Sequence, residues 1–378
     1  MKLLHRGEVM LFDELVKENI RDFYDRRREM ELLKNGILEC RRIILILGIR
    51  RIGKSSLIKV TLNHNKIPYI YIDVRSIYRQ YNYISSYAIH YALESALNRL
   101  SKSSFWSKLL DYLKNIRGVS VMGVEVRFSE SPQKITVIMP QLFNALNDWA
   151  SDNKSKIALV FDEAQYLRYS KINFRSIIAY IYDNLPYITV VLSGSEVGLL
   201  HDFLRVNDPR SELYGRYMYE IVLKRFNREQ SIDFLYKGFQ EYGIEPPTDI
   251  IEEAASAFGG IVGWLVYFGR LSIDKGLSRE VIIETFIKGS KLVKEELSKL
   301  YKRSPRYRYV LEAIAQGNTT WSSIKKYITA RELKPIYDSA LYEILLTLEK
   351  MGIIEKVLEK DEIKYKIVDP VLQYAVMH

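Results

Sequence analysis

One glycine-rich turn constrains the fold of this chain more than any other stretch. Residues 45–59, LILGIRRIGKSSLIK, place Gly48 five residues before Gly53 and directly behind an apolar run. With Lys54 and Ser55 the stretch matches G-x-x-x-x-G-K-[ST] at every fixed position, between a strand pattern and a helix pattern. The two glycines free the backbone to curl so that successive N–H groups point at phosphate oxygens. An ordinary strand–helix turn requires neither the lysine nor the hydroxyl, so the pattern predicts a phosphate-binding loop.

This loop predicts both a nucleotide and a metal ion as ligands. Lys54 is expected to reach the β- and γ-phosphates of ATP, and the Ser55 hydroxyl is expected to bind Mg²⁺. Arg50 and Arg51 occupy variable positions, where they could screen the triphosphate or reach a neighbouring subunit. We prefer the simpler expectation that these positions tolerate exposed cations. The nucleotide-binding residues predicted from the loop are Gly48, Ile49, Arg50, Arg51, Ile52, Gly53, Lys54, Ser55 and Ser56.

An acidic motif follows a later strand pattern. The stretch IALVFDEAQ at 157–165 places Asp162 and Glu163 at the carboxyl end of a buried strand, where ligands bind in open α/β sheets. Asp162 is predicted to hold Mg²⁺ together with Ser55, and Glu163 to orient and polarise the attacking water. Two solvated acids at a strand end are the alternative, which the glycine loop upstream disfavours. Glu163 and Lys54 are therefore the predicted catalytic residues.

Short apolar runs alternate with helical patterns over the first part of the chain. Strand patterns occur at 42–48, 67–74, 156–162, 187–194 and 217–223, and 118–130 has the alternation of a hairpin insertion. The alternation predicts an α/β P-loop NTPase fold, with a parallel five-stranded sheet covered by helices on both faces. Helical patterns follow, and then three helices and two short strands typical of a winged helix. The predicted domains are a P-loop ATPase domain at 1–223, a helical lid domain at 224–303 and a winged-helix domain at 304–378.

Several further stretches carry a resemblance to a known family. They are FYDRRREMELL (23–33), FDEAQYL (161–167), VVLSGSEVGLL (190–200), SELYGRYMYEIVLKRF (211–226) and DPVLQYAV (369–376). Together with the glycine loop they resemble the archaeal ATPase family within the AAA+/STAND group of P-loop ATPases. The likeness spans nearly the whole chain. It departs from the family pattern at Arg225 and Val262, where the family often has proline.

The resemblance implies roles for residues that spacing alone does not identify. Arg26 and Glu29 occupy the fixed positions of an N-terminal element that lies near the nucleotide in the family. Ser193 would lie beside the γ-phosphate, as would Ser195. Arg216, in a Gly-Arg motif, would act as a γ-phosphate sensor or finger, in its own subunit or in a neighbouring one.

The charge distribution bears on possible partners. The net charge is +10, and residues 1–160 carry 26 Lys and Arg against 16 Asp and Glu, whereas residues 161–378 carry 30 of each. Residues 304–378 are nearly neutral, and the predicted recognition helix presents Asp338, Glu343 and Glu349 with Lys350. DNA binding by the winged helix is therefore not favoured over a contact with protein or with the chain itself. The hairpin and the basic first part of the chain are better candidates for contact with a polyanion.

These patterns together predict an ATP-hydrolysing molecular switch, in which nucleotide state sets the positions of the lid and the winged helix. The alternative is a nucleotide-loaded DNA-binding or scaffolding protein with little turnover. The longest apolar run, at 260–269, is too short for a membrane span, and the one cysteine, Cys40, predicts a reducing compartment. We therefore expect a cytoplasmic protein with no membrane contact; the sequence leaves its oligomeric state open.

Overall fold

The computed structural model describes residues 10–103 and 105–378. Its strands are β1 (Ile43–Leu47), β2 (Tyr69–Asp73), β3 (Val119–Met122), β4 (Glu125–Phe128), β5 (Ile157–Asp162), β6 (Ile188–Gly194), β7 (Tyr219–Val222), β8 (Ile354–Glu359) and β9 (Glu362–Ile367). Its α-helices are α1 (Arg27–Leu38), α2 (Lys54–His64), α3 (Val74–Tyr81), α4 (Ser86–Arg99), α5 (Trp106–Leu113), α6 (Ile135–Asp152), α7 (Phe174–Asn184), α8 (Val197–Leu204), α9 (Arg228–Glu241), α10 (Thr248–Ala257), α11 (Val262–Lys275), α12 (Arg279–Tyr301), α13 (Pro305–Ala315), α14 (Trp321–Glu332), α15 (Asp338–Lys350) and α16 (Pro370–Met377). Short 3₁₀ helices lie at Ile20–Asp22, Leu100–Lys102, Pro132–Lys134 and Ala164–Tyr169.

The chain divides into two compact units that do not follow chain order. Residues 17–48 and 54–223 form one, the sheet unit. Among the described residues, 10–16, 49–53 and 224–378 form the other, the helical unit. One unit boundary falls between Leu223 and Lys224, where a domain boundary is predicted. The predicted domain limits of 1–223, 224–303 and 304–378 stay predictions.

The sheet unit is built on a five-stranded sheet of order β2-β5-β6-β1-β7, in which every pairing is parallel. Every residue of β1, β5 and β6 is buried. Because successive side chains point to opposite faces, such strands need flanking helices on both sides. The predicted parallel five-stranded sheet is confirmed. Its carboxyl edge gathers the ends of β1, β2, β5 and β6 in one place.

The predicted insertion at 118–130 is an antiparallel hairpin of β3 and β4. The Asn98 side-chain amide fixes it to α4, because it donates to the Val126 carbonyl at 2.9 Å and accepts from the Val126 N–H at 2.8 Å. The Trp106 indole N–H donates to the Val124 carbonyl at 2.9 Å. These bonds satisfy backbone groups of β4 and its preceding turn that the two-stranded ladder leaves without a partner.

Two elements differ from the sequence prediction because of local backbone geometry. Phe23, Met30, Leu33 and Ile37 are spaced for one face of a helix, so the sequence predicts a helix over 21–40. The helix forms only from Arg27, since Asp25 and Arg26 have left-handed φ values of 56° and 66° that interrupt it. Helix α3 was not expected directly after β2. It begins there because the Asp73 carboxylate accepts the Ser76 N–H at 2.9 Å and caps its first turn.

The helical unit includes the start of the described chain. The ring of Phe12 is fully buried, and it contacts the rings of Phe234 at 5.8 Å and Phe239 at 4.9 Å between centroids. Gly238 and Gly269 face this ring, where a Cβ atom at either position would overlap it. The N-terminal segment is therefore locked into the helices α9 and α11 by one aromatic side chain.

The predicted winged helix is present within the helical unit. It consists of α13, α14 and α15 followed by the antiparallel pair β8 and β9. The turn between these strands is formed by Lys360 and Asp361, both with positive φ, which suits a two-residue hairpin. In residues 10–103 and 105–378, no helix has the length and apolar character that crossing a bilayer requires.

Replacing Phe12 with alanine should destabilise the helical unit by about 3–5 kcal/mol, because it leaves a cavity between helices that two glycines bring close together. Leu15→Ala is the matched control, since Leu15 lies in the same segment and is 69% exposed. Urea unfolding followed by tryptophan fluorescence measures both variants. Equal stability of the Phe12 variant and the wild type would contradict the packing described.

Candidate functional site

The glycine loop leaves β1 and enters α2 with the curled backbone that its sequence predicts. Gly48 and Gly53 have φ values of 149° and 96°, and Arg51 is left-handed at 64°. Lys54, the first residue of α2, is 5% exposed, and its ammonium donates to the Gly48 carbonyl at 2.8 Å. The lysine thus closes the loop onto its own first residue, at the positive end of a helix.

Asp162 ends β5 at the same edge of the sheet and is 5% exposed. Its carboxylate accepts the Ser55 hydroxyl at 2.6 Å, and it also accepts the hydroxyls of Tyr71 and Ser193. Burial and the charge of Asp162 raise the pKa of the Tyr71 phenol, which therefore stays a donor. Three hydroxyl donors thus compensate the burial of one carboxylate.

Glu163 follows in a left-handed conformation, with φ 55° and ψ 48°. Its carboxylate accepts the Gln165 amide at 2.6 Å, the Ser195 hydroxyl at 2.6 Å and the Ser195 N–H at 3.2 Å. Burial opposes its ionisation, but the charge of Lys54 and the hydrogen bonds from Ser195 and Gln165 outweigh burial and lower its pKa to about 2. Its own N–H donates to the Ser193 hydroxyl at 3.0 Å. Glu163 is therefore an oriented carboxylate at neutral pH.

Two further charged residues at this edge were not identified as site residues from the sequence. Asp73 ends β2 in register with Asp162. Burial raises the pKa of Asp73, and the charges of Asp162 and Glu163 raise it further. The hydrogen bond from the Ser76 N–H and the charge of Arg75 act in the opposite direction and lower the pKa. Arg75, in the first turn of α3, also favours ionisation of Glu163. The available signal was the position of Asp73 at the end of a buried strand with an arginine two residues later.

Arg26 and Glu29 form an ion pair of 3.2 Å at the start of α1. Arg26 is 6% exposed, and burial lowers its pKa while Glu29 raises it. Gly36, near the end of α1, faces the side chains of Ile44 in β1 and Tyr219 in β7. The role of the Arg26–Glu29 pair in nucleotide binding stays a prediction.

Arg216 is not brought together with these residues. Its guanidinium pairs with Asp183 at 2.6 Å and donates to the Glu212 carbonyl. Asp183 lies at the end of α7, just before β6 begins. Tyr219, the first residue of β7, pairs with Ile44 in the register of the sheet. Arg216 therefore lies at the amino edge, about 13 Å or more along the strand from the glycine loop.

The expectation that Arg50 and Arg51 are exposed cations is wrong. They are 24% and 22% exposed, and both pair with Glu296 of α12, at 2.7 and 3.4 Å. The Arg51 guanidinium also lies 4.5 Å from the centroid of the Trp264 ring. The Arg51 carbonyl accepts the Gly263 N–H at 2.9 Å, which fixes the backbone of the loop as well. The single carboxylate of Glu296 balances only one of the two positive charges, and both guanidinium groups keep partial contact with solvent.

The remaining predicted positions have structural partners. Ile52 is buried, and the Ser56 hydroxyl accepts the Lys17 N–H at 3.0 Å. Arg225, which stands where the family often has proline, donates to the Val368 carbonyl. Ile49 lines a cavity of the helical unit together with Arg50 and Arg51.

The residues at the carboxyl edge fit a magnesium nucleotide. Among the described residues, no cluster of three or more His, Cys, Asp or Glu could hold a metal ion alone. Mg²⁺ is commonly bound through one or two carboxylates together with substrate phosphates and water. The hydroxyl of Ser55 and the carboxylate of Asp162, 2.6 Å apart, are oxygen ligands of this kind.

Comparison with known proteins identifies the family. The model of an ATPase domain predominantly from Archaea matches residues 23–268. The chain belongs to this family. A second model, of the C-terminal winged helix-turn-helix domain of MCM proteins, matches residues 301–368. The predicted resemblance, the winged helix and the assignment as an ATPase are thereby confirmed, while the roles of individual site residues stay predictions.

Solved structures agree with this family. A Walker-type ATPase of Pyrococcus abyssi is 36% identical, with a TM-score of 0.84 over 98% of this chain and 100% of that one. The ORC2 protein of Aeropyrum pernix with ADPNP and ADP is 15% identical, with a TM-score of 0.62 over 97% of each chain. Its ADP form is 14% identical, with a TM-score of 0.55 over 97% of each chain. The ORC2 likeness shows the fold alone. Among curated proteins, none is similar enough to match.

The ionised state of Glu163 predicts a pH-dependent cost for Ser195→Ala. A carboxylate with a lowered pKa stabilises the folded state above its ordinary pKa of 4.5, and this stabilisation is lost as the pH falls through about 2. Removing the Ser195 hydroxyl should therefore cost about 1.5–3 kcal/mol at pH 7 and less in acid.

Urea unfolding at a series of pH values measures this cost. Thr61→Val is the control, because the buried Thr61 hydroxyl donates to the Leu57 carbonyl at 2.7 Å and its loss should cost the same at each pH. A cost for Ser195→Ala that does not change with pH would contradict the ionised state of Glu163.

Proposed function

We propose that this ATPase is a Mg²⁺-dependent molecular switch of the STAND type, which couples the state of its nucleotide to the positions of the helical lid and the winged helix. The observation that carries the proposal is the combination of Lys54, Asp162 and Glu163 at one strand edge. A protein that only retains a nucleotide needs the loop and a metal ligand. It does not need a second carboxylate oriented by three hydrogen-bond donors.

The proposed reaction uses groups that already have defined partners. When a nucleotide binds, the Lys54 ammonium releases the Gly48 carbonyl and donates to phosphate oxygens instead. The N–H groups of the loop donate to the same phosphates. The Ser55 hydroxyl and the Asp162 carboxylate, now hydrogen-bonded to each other, would hold Mg²⁺, and the ion would neutralise and orient the phosphates. Glu163, held by Ser195 and Gln165, accepts a proton of the water that attacks the γ-phosphate.

Ser193 supports communication between the two acids. Its hydroxyl donates to Asp162 and accepts the N–H of Glu163 at 3.0 Å. A change at the metal ligand Asp162 therefore changes a hydrogen bond of the residue that orients water. This is the role of a γ-phosphate sensor, which the resemblance implies for Ser193.

The coupling to the rest of the chain is proposed to run through the arginines of the loop. Arg50 and Arg51 pair with Glu296, and Arg51 stacks on Trp264. The Trp264 indole N–H donates to both carboxylate oxygens of Asp369, at 2.9 and 3.0 Å. Asp369 also caps α16, which packs against α12.

These contacts provide a physical route from the loop to the C-terminal helix. Phosphates entering the loop compete with Glu296 for both guanidinium groups. Release of Glu296 frees α12, and movement of Arg51 removes the cation from the Trp264 ring beside Asp369. A ligand shifts such an equilibrium only by its differential affinity for the two states.

Replacing Glu163 with glutamine should abolish ATP hydrolysis but retain ATP binding, because the amide keeps the shape of the side chain and removes the proton acceptor. Phosphate release and equilibrium binding of a fluorescent ATP analogue measure the two properties. Glu220→Gln is the control, since Glu220 is an exposed acid on β7. If the wild-type protein hydrolyses no ATP, alone or with added DNA or protein partners, the result would instead favour the alternative of a nucleotide-loaded DNA-binding or scaffolding protein.

Replacing Glu296 with glutamine should tighten nucleotide binding about two- to fivefold, because a partly exposed ion pair of this kind is worth about 0.4–1 kcal/mol. The matched control is Glu295→Gln, an exposed neighbour on the same helix. Titration with ADP and ATP measures the affinities. Unchanged affinity in the Glu296 variant would separate the loop arginines from nucleotide binding and remove the proposed route.

A further inference from the structure

An exposed aromatic surface lies on the sheet unit, at the end of α3, on the loop that follows and on α4. Tyr81, Tyr83, Tyr87 and Tyr91 are 37%, 56%, 51% and 49% exposed. Single exposed aromatic residues are ordinary, but these four lie within eleven residues of the sequence, and two of them are in ring contact. We call these four residues the tyrosine platform. They play no part in the nucleotide site described above.

The geometry of α4 gives the platform a direction. Tyr87 and Tyr91 are one turn apart, and their ring centroids are separated by 4.5 Å. Ser95 and Arg99 continue the same exposed stripe at intervals of four residues. The stripe from Tyr87 to Arg99 is about 18 Å long. The opposite face of α4 packs against β2 and β4, so the stripe has a rigid base.

The platform adjoins a basic cavity through two backbone segments that meet. Ile84 forms a parallel bridge with Ser170, supported by the Ile84 N–H donating to the Tyr169 carbonyl and the Ser170 hydroxyl donating to the Ile84 carbonyl. The exposed residues Tyr83 and Lys171 flank this bridge. A cavity of about 500 Å³ lies beyond it. Its charged lining residues are Arg168, Lys171, Arg175, Arg205 and Asp202.

The charges around the platform suit a polyanion. The chain segments that contain the platform and the cavity are basic: residues 74–137 carry nine Lys and Arg against four Asp and Glu, and residues 164–175 carry three Arg and Lys with no acid. In the first segment Lys114, Arg127 and Lys134 pair with neighbouring acids. Two of the cavity arginines are already engaged, Arg175 with Glu212 at 3.0 Å and Arg168 with the Tyr169 hydroxyl at 2.8 Å. Lys171 and Arg205 are exposed at the rim. The winged helix, with 11 basic and 10 acidic residues in 304–378, has no comparable excess.

We propose that this surface binds single-stranded nucleic acid, with bases stacked on Tyr83, Tyr87 and Tyr91 and phosphates directed to Lys171 and Arg205. Aromatic side chains bind unpaired bases by stacking because every base has an exposed π-face, which a duplex hides. A protein partner that used the same tyrosines would not need the excess of positive charge beside them. The proposal goes beyond the proposed function and does not depend on ATP hydrolysis.

Fluorescence anisotropy with labelled oligothymidylate, oligouridylate and a duplex of equal length tests the proposal, at low salt and without ATP. Both single strands should bind more tightly than the duplex, and the ratio of the two single-strand affinities distinguishes DNA from RNA as the preferred ligand. The variant Tyr87→Ala/Tyr91→Ala should bind about 10- to 100-fold more weakly. Tyr87→Phe/Tyr91→Phe keeps the rings and should bind like the wild type.

Two further variants separate the phosphate contacts from base stacking and the tyrosine platform from the winged helix. Lys171→Ala/Arg205→Ala should lower the slope of log affinity against log salt by about 1.4, because each phosphate contact to a single strand contributes about 0.7. Tyr342→Ala is the matched control, since Tyr342 is 51% exposed on α15, the recognition helix of the winged helix. The Tyr342→Ala variant should bind the single-stranded probes as tightly as the wild type does.

Three outcomes would overturn the proposal. The first is that neither single-stranded probe binds more tightly than the duplex. The second is that Tyr342→Ala weakens binding as much as the platform variant does, which would assign binding to the winged helix. The third is equal loss in the Phe and Ala pairs, which would exclude stacking. Because ATP is absent, failure of the proposed switch leaves each of these readouts intact.

Discussion

The burial of Lys54 beside Glu163 is the interaction on which the rest of the site depends. A buried ammonium is tolerated only where opposite charge and hydrogen-bond acceptors replace its hydration. The Gly48 carbonyl supplies the acceptor, and the charge of Lys54 in turn favours ionisation of Glu163. The parallel register of the sheet brings the groups together, and their charges keep the cluster stable.

Sequence reasoning succeeded where the information is local. The glycine loop, the acids at the end of β5 and the alternation of apolar strands and helices each depend on neighbouring residues, and the fold and family follow from them. The capping of α9 by Asn227 is local as well, and the structure has the full capping box with Gln230. Such features can be predicted because one short stretch contains both the cause and the effect.

The features that were missed depend on contacts between distant parts of the chain. Arg50 and Glu296 are 246 residues apart, and no spacing rule relates them. The place of Arg216 follows from its ion pair with Asp183 and from the register of β7, neither of which a Gly-Arg motif specifies. Helix α3 was missed because its cap, Asp73, is also the last residue of a strand. Local pattern assigned that residue a single role, whereas the structure uses it twice.

The division of the chain into two units has a practical consequence. The polypeptide passes from one unit to the other at 16/17, 48/49, 53/54 and 223/224. A single cut at 223/224 therefore does not yield two self-contained pieces. The N-terminal piece would carry Phe12 without the helices that bury it, and a phosphate loop whose arginines have lost Glu296. Fragments designed from chain order alone should aggregate, and a stable excised sheet unit would begin at Lys17 and would need substitute partners for residues 49–53.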